Sequence, residues 1–266
     1  MFEIVFLGVR AGWRGQGWRV LLPLASMVVV LSLLAAGFSG RQPVTVALDL
    51  GFTGLRVVVL VLVLLWVQEL FSKDIERKTV YFILAYPVSR ASYLCARFVA
   101  VALLSLLAVM VVGGGVWLSS GLTGEYQQVQ QVDLRGGFLL VLFGVWVDAL
   151  VVASFAMLVA SFSVTPYLPL LLGLAFGVAA RSLGPVLSYL LYGERADPLH
   201  ATIFAPVLSY SHAWLPDLSR LDFRPVALYD LPIPWQGVWL AFLSSGLYVF
   251  FMLWLAVFIF DRRNFV

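Results

Sequence analysis

The stretch from Gln68 to Arg97, QELFSKDIERKTVYFILAYPVSRASYLCAR, holds five of the seventeen basic residues and three of the fourteen acids in a chain that is only 12% charged. Lys73, Arg77, Lys78, Arg90 and Arg97 are interleaved there with Glu69, Asp74 and Glu76. Mixed charges at this density offer recognition by ion pairing and hydrogen bonding. The plainer reading is a solvated loop whose charges only fix orientation. Two more charges, Asp148 and Arg181, fall deep inside apolar runs. At bilayer depth each is costly unless it finds a partner or water, so they either pair with one another or line a wet pathway. Their expected depths differ by somewhat less than about 10 Å at 1.5 Å per residue, so pairing requires the arginine to stretch outward.

Catalytic sets are not evident. His200 and His212 lack the CxxC or HExxH company that a metal site needs, and the single Cys95 excludes an internal disulfide or a cysteine-paired metal centre. No glycine-lysine-threonine phosphate loop occurs, so any ATP must be bound by another chain. Within the apolar runs there are no paired acids, no Ser/His set and no metal ligands, which leaves a membrane-embedded enzyme as the weakest class.

The elements that must position these residues follow from hydrophobicity. At 62% hydrophobic, against about 45 to 50% for soluble domains, the chain is an integral membrane protein. Six apolar runs are long enough to cross: Val20 to Ala36, Gly54 to Leu70, Ala96 to Leu118, Phe138 to Phe162, Tyr167 to Leu191 and Gly237 to Phe260. The expected fold is therefore all-α and polytopic, a single transmembrane domain over residues 1–266. Residues 1–18 place Phe2, Phe6, Val9 and Trp13 on one helical face beside Glu3, Arg10 and Arg14, which suits a helix lying in the membrane interface. Phe38 to Thr53 is expected as an outer loop. Gly113-Gly114-Gly115 should loosen the third span, and Pro169, Gly173, Gly177, Gly184 and Pro185 should break up the fifth. Gly173 and Gly177, four residues apart, also permit close approach of a second helix, in a subunit interface or in internal packing. Residues 193–236 hold six of the twelve prolines and apolar runs too short to cross, so short helices on or in the outer leaflet are expected.

Six spans put both termini on one side. Assigning that side to the cytoplasm gives ten basic residues inside against six outside, in agreement with the positive-inside rule, and makes residues 72–90 a cytoplasmic segment. Ser72 is expected to cap a short helix there, with Asp74 and Glu76 in its first turn. Tyr86 before Pro87 should stop it near Ala85, and Ser89 offers a cap for the third span. The basic excess is modest and clusters at membrane edges, so nucleic acid is not implied.

The run Asp74-Ile75-Glu76-Arg77-Lys78-Thr79, followed by Pro87-Val88-Ser89-Arg90, resembles the signature of type-2 ABC exporter permeases, most nearly those associated with multicopper enzyme maturation. Leu215-Pro216-Asp217-Leu218, Asp222-Phe223-Arg224 and Phe260-Asp261-Arg262-Arg263-Asn264-Phe265 extend the likeness over most of the chain; Arg97 stands where a lysine is more usual. The resemblance implies a homo- or heterodimer of six-helix permease subunits in a bacterial inner membrane. Two separate ABC ATPase subunits would carry the ATP and Mg, and this chain would bind neither. The helix from Lys73 to about Ala85 would dock in an ATPase groove through Asp74, Glu76, Arg77 and Lys78. The substrate path would then run between protomers, bordered by the second and fifth spans. The rival reading is a membrane anchor or assembly protein that moves nothing and holds a periplasmic partner with its outer proline-rich region.

Overall fold

The computed structural model describes residues 2–76, 89–123, 132–163, 165–192 and 216–262, and among these all regular structure is helical. In chain order the helices are α1 (Phe2–Arg14), α2 (Gln16–Gly37), α3 (Pro43–Val67), α4 (Lys73–Glu76), α5 (Arg90–Gly121), α6 (Gly136–Phe162), α7 (Leu168–Tyr192), α8 (Arg224–Tyr229) and α9 (Trp235–Arg262). The described residues contain six helical stretches long and apolar enough to cross a membrane: α2, α3 continued through α4, α5, α6, the Leu168–Val186 part of α7, and α9. Their valines, leucines and alanines are distributed all round the helix, as a span facing both protein and lipid requires. α3 and α6 form the centre of the bundle and are buried over most of their length, whereas α2 and α9 lie outside them.

Several expectations are corrected. Residues 38–53 are mostly helix, since α3 starts at Pro43, and only 38–42 connect α2 to it. Proline suits that first position because its φ is already helical and its missing N–H would go unpaired there anyway. Ser72 does not cap a new helix. α3 runs into α4 without a break through a π-turn, Gln68–Ser72, in which the Lys73 N–H bonds the Gln68 carbonyl and the Ser72 side chain is buried. The interfacial helix expected over 1–18 stops at Arg14; the chain bends at Gly15, and Trp18 belongs to α2.

The glycine triplet does not loosen α5. Gly113 lies against Leu142 of α6 and Gly115 against Val29 of α2, so the lost side chains are replaced by neighbours and the helix stays regular. α7 is likewise continuous, with Pro169 in its first turn, where a proline costs little, and Pro185 further along. Ser89 does cap α5, its hydroxyl accepting the Ser92 N–H at 3.2 Å.

Residues 193–215, including His200 and His212, lie outside the described residues. The rest of the region between α7 and α9 forms a 3-10 turn, Leu218–Leu221, and α8, and both pack on the bundle. Glycines on α6 make the seat. A Cβ at Gly137 would come within 2.9 Å of the Ala227 Cα, and one at Gly144 within 2.8 Å of the Leu221 carbonyl oxygen. The Asp133 N–H donates to the Ala227 carbonyl at 3.0 Å, while the Asp133 carboxylate accepts the N–H groups of Arg135, Gly136 and Gly137 at the start of α6. Those backbone bonds, led by the one from Gly137, hold the Asp133 carboxyl below the ordinary carboxylate range.

Candidate functional site

Two polar constellations interrupt the apolar bundle. The first gathers where α3 leaves it. Past the π-turn, the Asp74 carboxylate points back at α5, accepting the Tyr93 hydroxyl at 2.9 Å and forming an ion pair with the Arg97 guanidinium at 2.5 Å. Tyr93 is fully buried, and its ring packs with Phe71 at 6.1 Å and Phe260 at 6.2 Å between centroids. The Arg97 guanidinium also lies 5.3 Å from the Tyr93 ring centre. One turn before Tyr93, Arg90 donates to the carbonyls of Phe260 and Asp261 at 3.1 and 3.0 Å, giving partners to the open C-terminal end of α9. The root of the charged segment is thus bonded to α5 and, through α5, to α9.

Of the residues predicted to meet an ATPase, Asp74 faces inward, Ile75 is half-buried against the core and Glu76 is exposed. Arg77, Lys78, Thr79 and Pro87 lie outside the described residues.

The second constellation is a chain of alternating charges. Arg181 of α7 binds the fully buried Asp148 of α6 through Nη2 at 2.6 Å and Nε at 3.1 Å. Arg56 of α3 stands between Asp148, 3.7 Å away, and Asp222, 3.3 Å away, and also reaches the Leu221 carbonyl. Asp222 in turn holds Arg224 through both carboxylate oxygens, and Arg224 continues to Asp49 at 3.2 Å and the Thr53 hydroxyl at 2.8 Å. Burial works against the charge on Asp222, but the bonds from Arg224 and the nearby Arg56 outweigh it and hold the carboxyl below the ordinary range. The six groups sum to zero charge, which suits a tie between α3, α6, α7 and the outer segment. Beside it opens a cleft of about 510 Å³ bordered by Asp49, Thr53, Asp222, Arg224 and Tyr229.

Gly173 and Gly177 face inward. A Cβ at Gly173 would come within 2.4 Å of Leu64 Cδ2, and one at Gly177 within 3.1 Å of Leu60 Cδ1, so the small residues serve packing of α7 on α3 within this chain.

A family model described as "ABC-2 family transporter protein" matches residues 26–192, from within α2 to the end of α7. That stretch covers well over half of the sequence and both constellations except the residues of the outer segment and of α9. The chain belongs to the ABC-2 transporter family. It is an integral membrane permease component of an ABC transporter, and the match does not single out the multicopper-maturation group. A search of the curated proteins finds no match.

Sequence reasoning about this permease missed Arg56 and Asp222 as parts of the second constellation, and missed that Glu69 accepts the Gln16 N–H. A second span that starts at Gly54 puts Arg56 at its outer edge. The available signal was Asp49, Thr53 and Arg56 at i, i+4 and i+7, one face of a helix that begins at Pro43. Glu69 gave no comparable signal, because its partner is a backbone N–H on another helix.

Proposed function

We propose that this permease is the membrane half of an ATP-driven exporter. It works as a dimer, homo- or heteromeric, in a bacterial inner membrane, with both termini in the cytoplasm. Separate ATPase subunits, carrying ATP and Mg, dock beneath it on the segment that begins at Lys73. The observation that supports this most directly is how that segment is rooted. Asp74 is clamped inward to Arg97 and Tyr93 while Glu76, two residues on, is exposed. A handle that transmits force needs a stiff root and a reachable tip.

Closure of the ATPases on ATP would then push along two routes. One passes through the continuous α4, π-turn and α3; the other crosses the Asp74–Arg97 pair into α5. The second and third spans would move as levers, opening a path between protomers that α3 and α7 border.

The test is co-purification from native membranes. Charge reversal of Glu76→Lys together with Arg77→Glu should release the ATPase while leaving the permease folded. An ATPase that stays bound through the reversal would overturn docking on this segment, and a permease isolated from intact membranes with no ATPase at all would favour an anchoring protein.

A further inference from the structure

α1 turns a defined side to the protein. A Cβ at Gly8 would come within 2.8 Å of the Ala100 Cβ, and one at Gly12 within 2.4 Å of the Leu104 Cδ1, both on α5. At and past the bend, Gly15 lies against Glu69 of the π-turn and Gly17 against Trp66 of α3. These contacts fix the rotation of the elbow about its own axis. The side turned away carries Arg10 and Arg14, flanked by Phe2, Phe6 and Trp13, all exposed. Trp13 stacks on Trp18 across the bend, with ring centres 3.9 Å apart, and the exposed Arg19 follows Trp18 at the start of α2.

Arg10, Arg14 and Arg19 are exposed, and none makes an ion pair or hydrogen bond with a described residue. Arg90 and Arg97, by contrast, are each committed to a partner within the protein. Glu3, the one acid on α1, is seven residues from Arg10, about 10 Å along the axis. Three unpaired guanidinium groups therefore stand beside aromatic side chains of which Phe2 is 92% and Phe6 67% exposed. Guanidinium matches a phosphodiester in shape and charge, and the aromatic rings require hydrocarbon. An acidic protein surface would satisfy the first and not the second.

We propose that the α1–α2 elbow binds an anionic phospholipid, its phosphodiester held by Arg10, Arg14 and Arg19 and its acyl chains lying on Phe2, Phe6 and Trp13. The function proposed above decides only which leaflet supplies it. Because the elbow also bears on Glu69, and Gly8 sits over Arg97, the bound lipid steadies the residues that root the ATPase-facing segment.

The experiment reads lipid retained by the full-length permease after reconstitution in equal parts phosphatidylglycerol and phosphatidylcholine, re-extraction and mass spectrometry. Wild type should enrich phosphatidylglycerol, and the R10Q/R14Q/R19Q variant should lose that enrichment by roughly five-fold per arginine. Arg41→Gln, an exposed arginine on the connection from α2 to α3, should leave it unchanged. If the triple variant unfolds earlier than wild type in pure phosphatidylcholine, Arg14→Gln and the salt dependence of wild-type enrichment replace it, since an electrostatic site weakens with salt. Enrichment that survives the substitutions, or ignores salt, overturns the proposal. So does a triple variant that keeps the lipid but sheds a protein partner. Retention is read on the permease whether or not an ATPase accompanies it, so this result and the docking result fail separately.

Discussion

The Glu69 carboxylate, in the π-turn after α3, accepts the backbone N–H of Gln16 at 3.2 Å, so a side chain at the end of the second span caps the start of the first across 53 residues of sequence. An acceptor at a helix start satisfies an otherwise open N–H and suits the dipole, contributing about 1 kcal/mol. Two glycines admit it. A Cβ at Gly15 would come within 2.2 Å of Glu69 Oε2, and one at Gly17 within 2.4 Å of the Trp66 indole nitrogen.

Those two clashes should differ in cost. The Glu69 carboxylate is the free end of a flexible chain and can retreat, forfeiting its bond to Gln16. The Trp66 ring is fully buried and cannot move. Gly17→Ala should therefore destabilise the permease by about 2 kcal/mol or more, through overpacking, and Gly15→Ala by about 1 kcal/mol. Thermal unfolding of the purified variants checks the order. A Gly15 substitution as damaging as that at Gly17 would contradict this account of the elbow.

Arg97 meets Asp74 through a single guanidinium nitrogen, so one point charge at that position suffices. Arg97→Lys should keep the pair and retain near-wild-type ATP turnover in the assembled transporter. Arg97→Gln takes the Arg97 charge away from a mostly buried carboxylate, and Asp74→Asn takes the carboxylate charge away from a guanidinium that is 9% exposed. Each should cost about 3 kcal/mol of stability. Turnover of the two variants should drop well below that of Arg97→Lys even at temperatures where they remain folded. Equal turnover in Lys and Gln variants would show that the clamp transmits nothing.

Hydropathy alone located six crossing segments, because a bilayer demands long apolar helices whatever the rest of the fold does. The charged segment was legible for the same reason, since its charges have no place in hydrocarbon. The errors came where a local rule met a tertiary neighbour. Ser72 looks like a helix cap, but the preceding helix does not end there, because Trp66, Val67, Leu70 and Phe71 are all buried in the bundle and carry it on to Glu76. Gly113 and Gly115 look like breakers, yet Leu142 and Val29 fill the space they leave. Asp148 and Arg181 were legible as costly charges. Arg56 and Asp222 became visible as their partners only when α3 and the outer segment were in place, because the four residues come from four separate stretches of sequence.

Within that constellation Asp148 is the member with the least access to water, its side chain 1% exposed, and it serves two arginines. Asp148→Asn should destabilise the permease by about 3 to 5 kcal/mol, since Arg181 and Arg56 keep their charges in a desolvated site. Adding Arg181→Gln should restore part of the loss by removing one stranded cation. Differential unfolding of the single and double variants measures the coupling; strictly additive losses would mean that the pair is not energetically joined.

Arg56 joins the bundle to the outer segment, and that junction should respond to acid. The folded Asp222 carboxyl is held below its ordinary value of 3.8, with Arg224 and Arg56 offsetting the effect of burial. A depressed carboxyl contributes stability that is complete above the unfolded pKa and disappears as pH falls through the folded one. Docking of residues 218–229 should thus be unchanged from neutral pH to the ordinary carboxylate value and weaken only below it. A fluorophore at Tyr229→Cys, in a Cys95→Ser background, reports the release as a fall in anisotropy. Arg56→Gln removes one of the charges that favour the ionised carboxylate, so it should shift the release to higher pH, whereas Arg181→Gln, which touches Asp148 and not Asp222, should shift it far less. If both substitutions moved the midpoint equally, Asp222 would be sensing the summed charge of the cluster, and the specific contact with Arg56 would have no separate role.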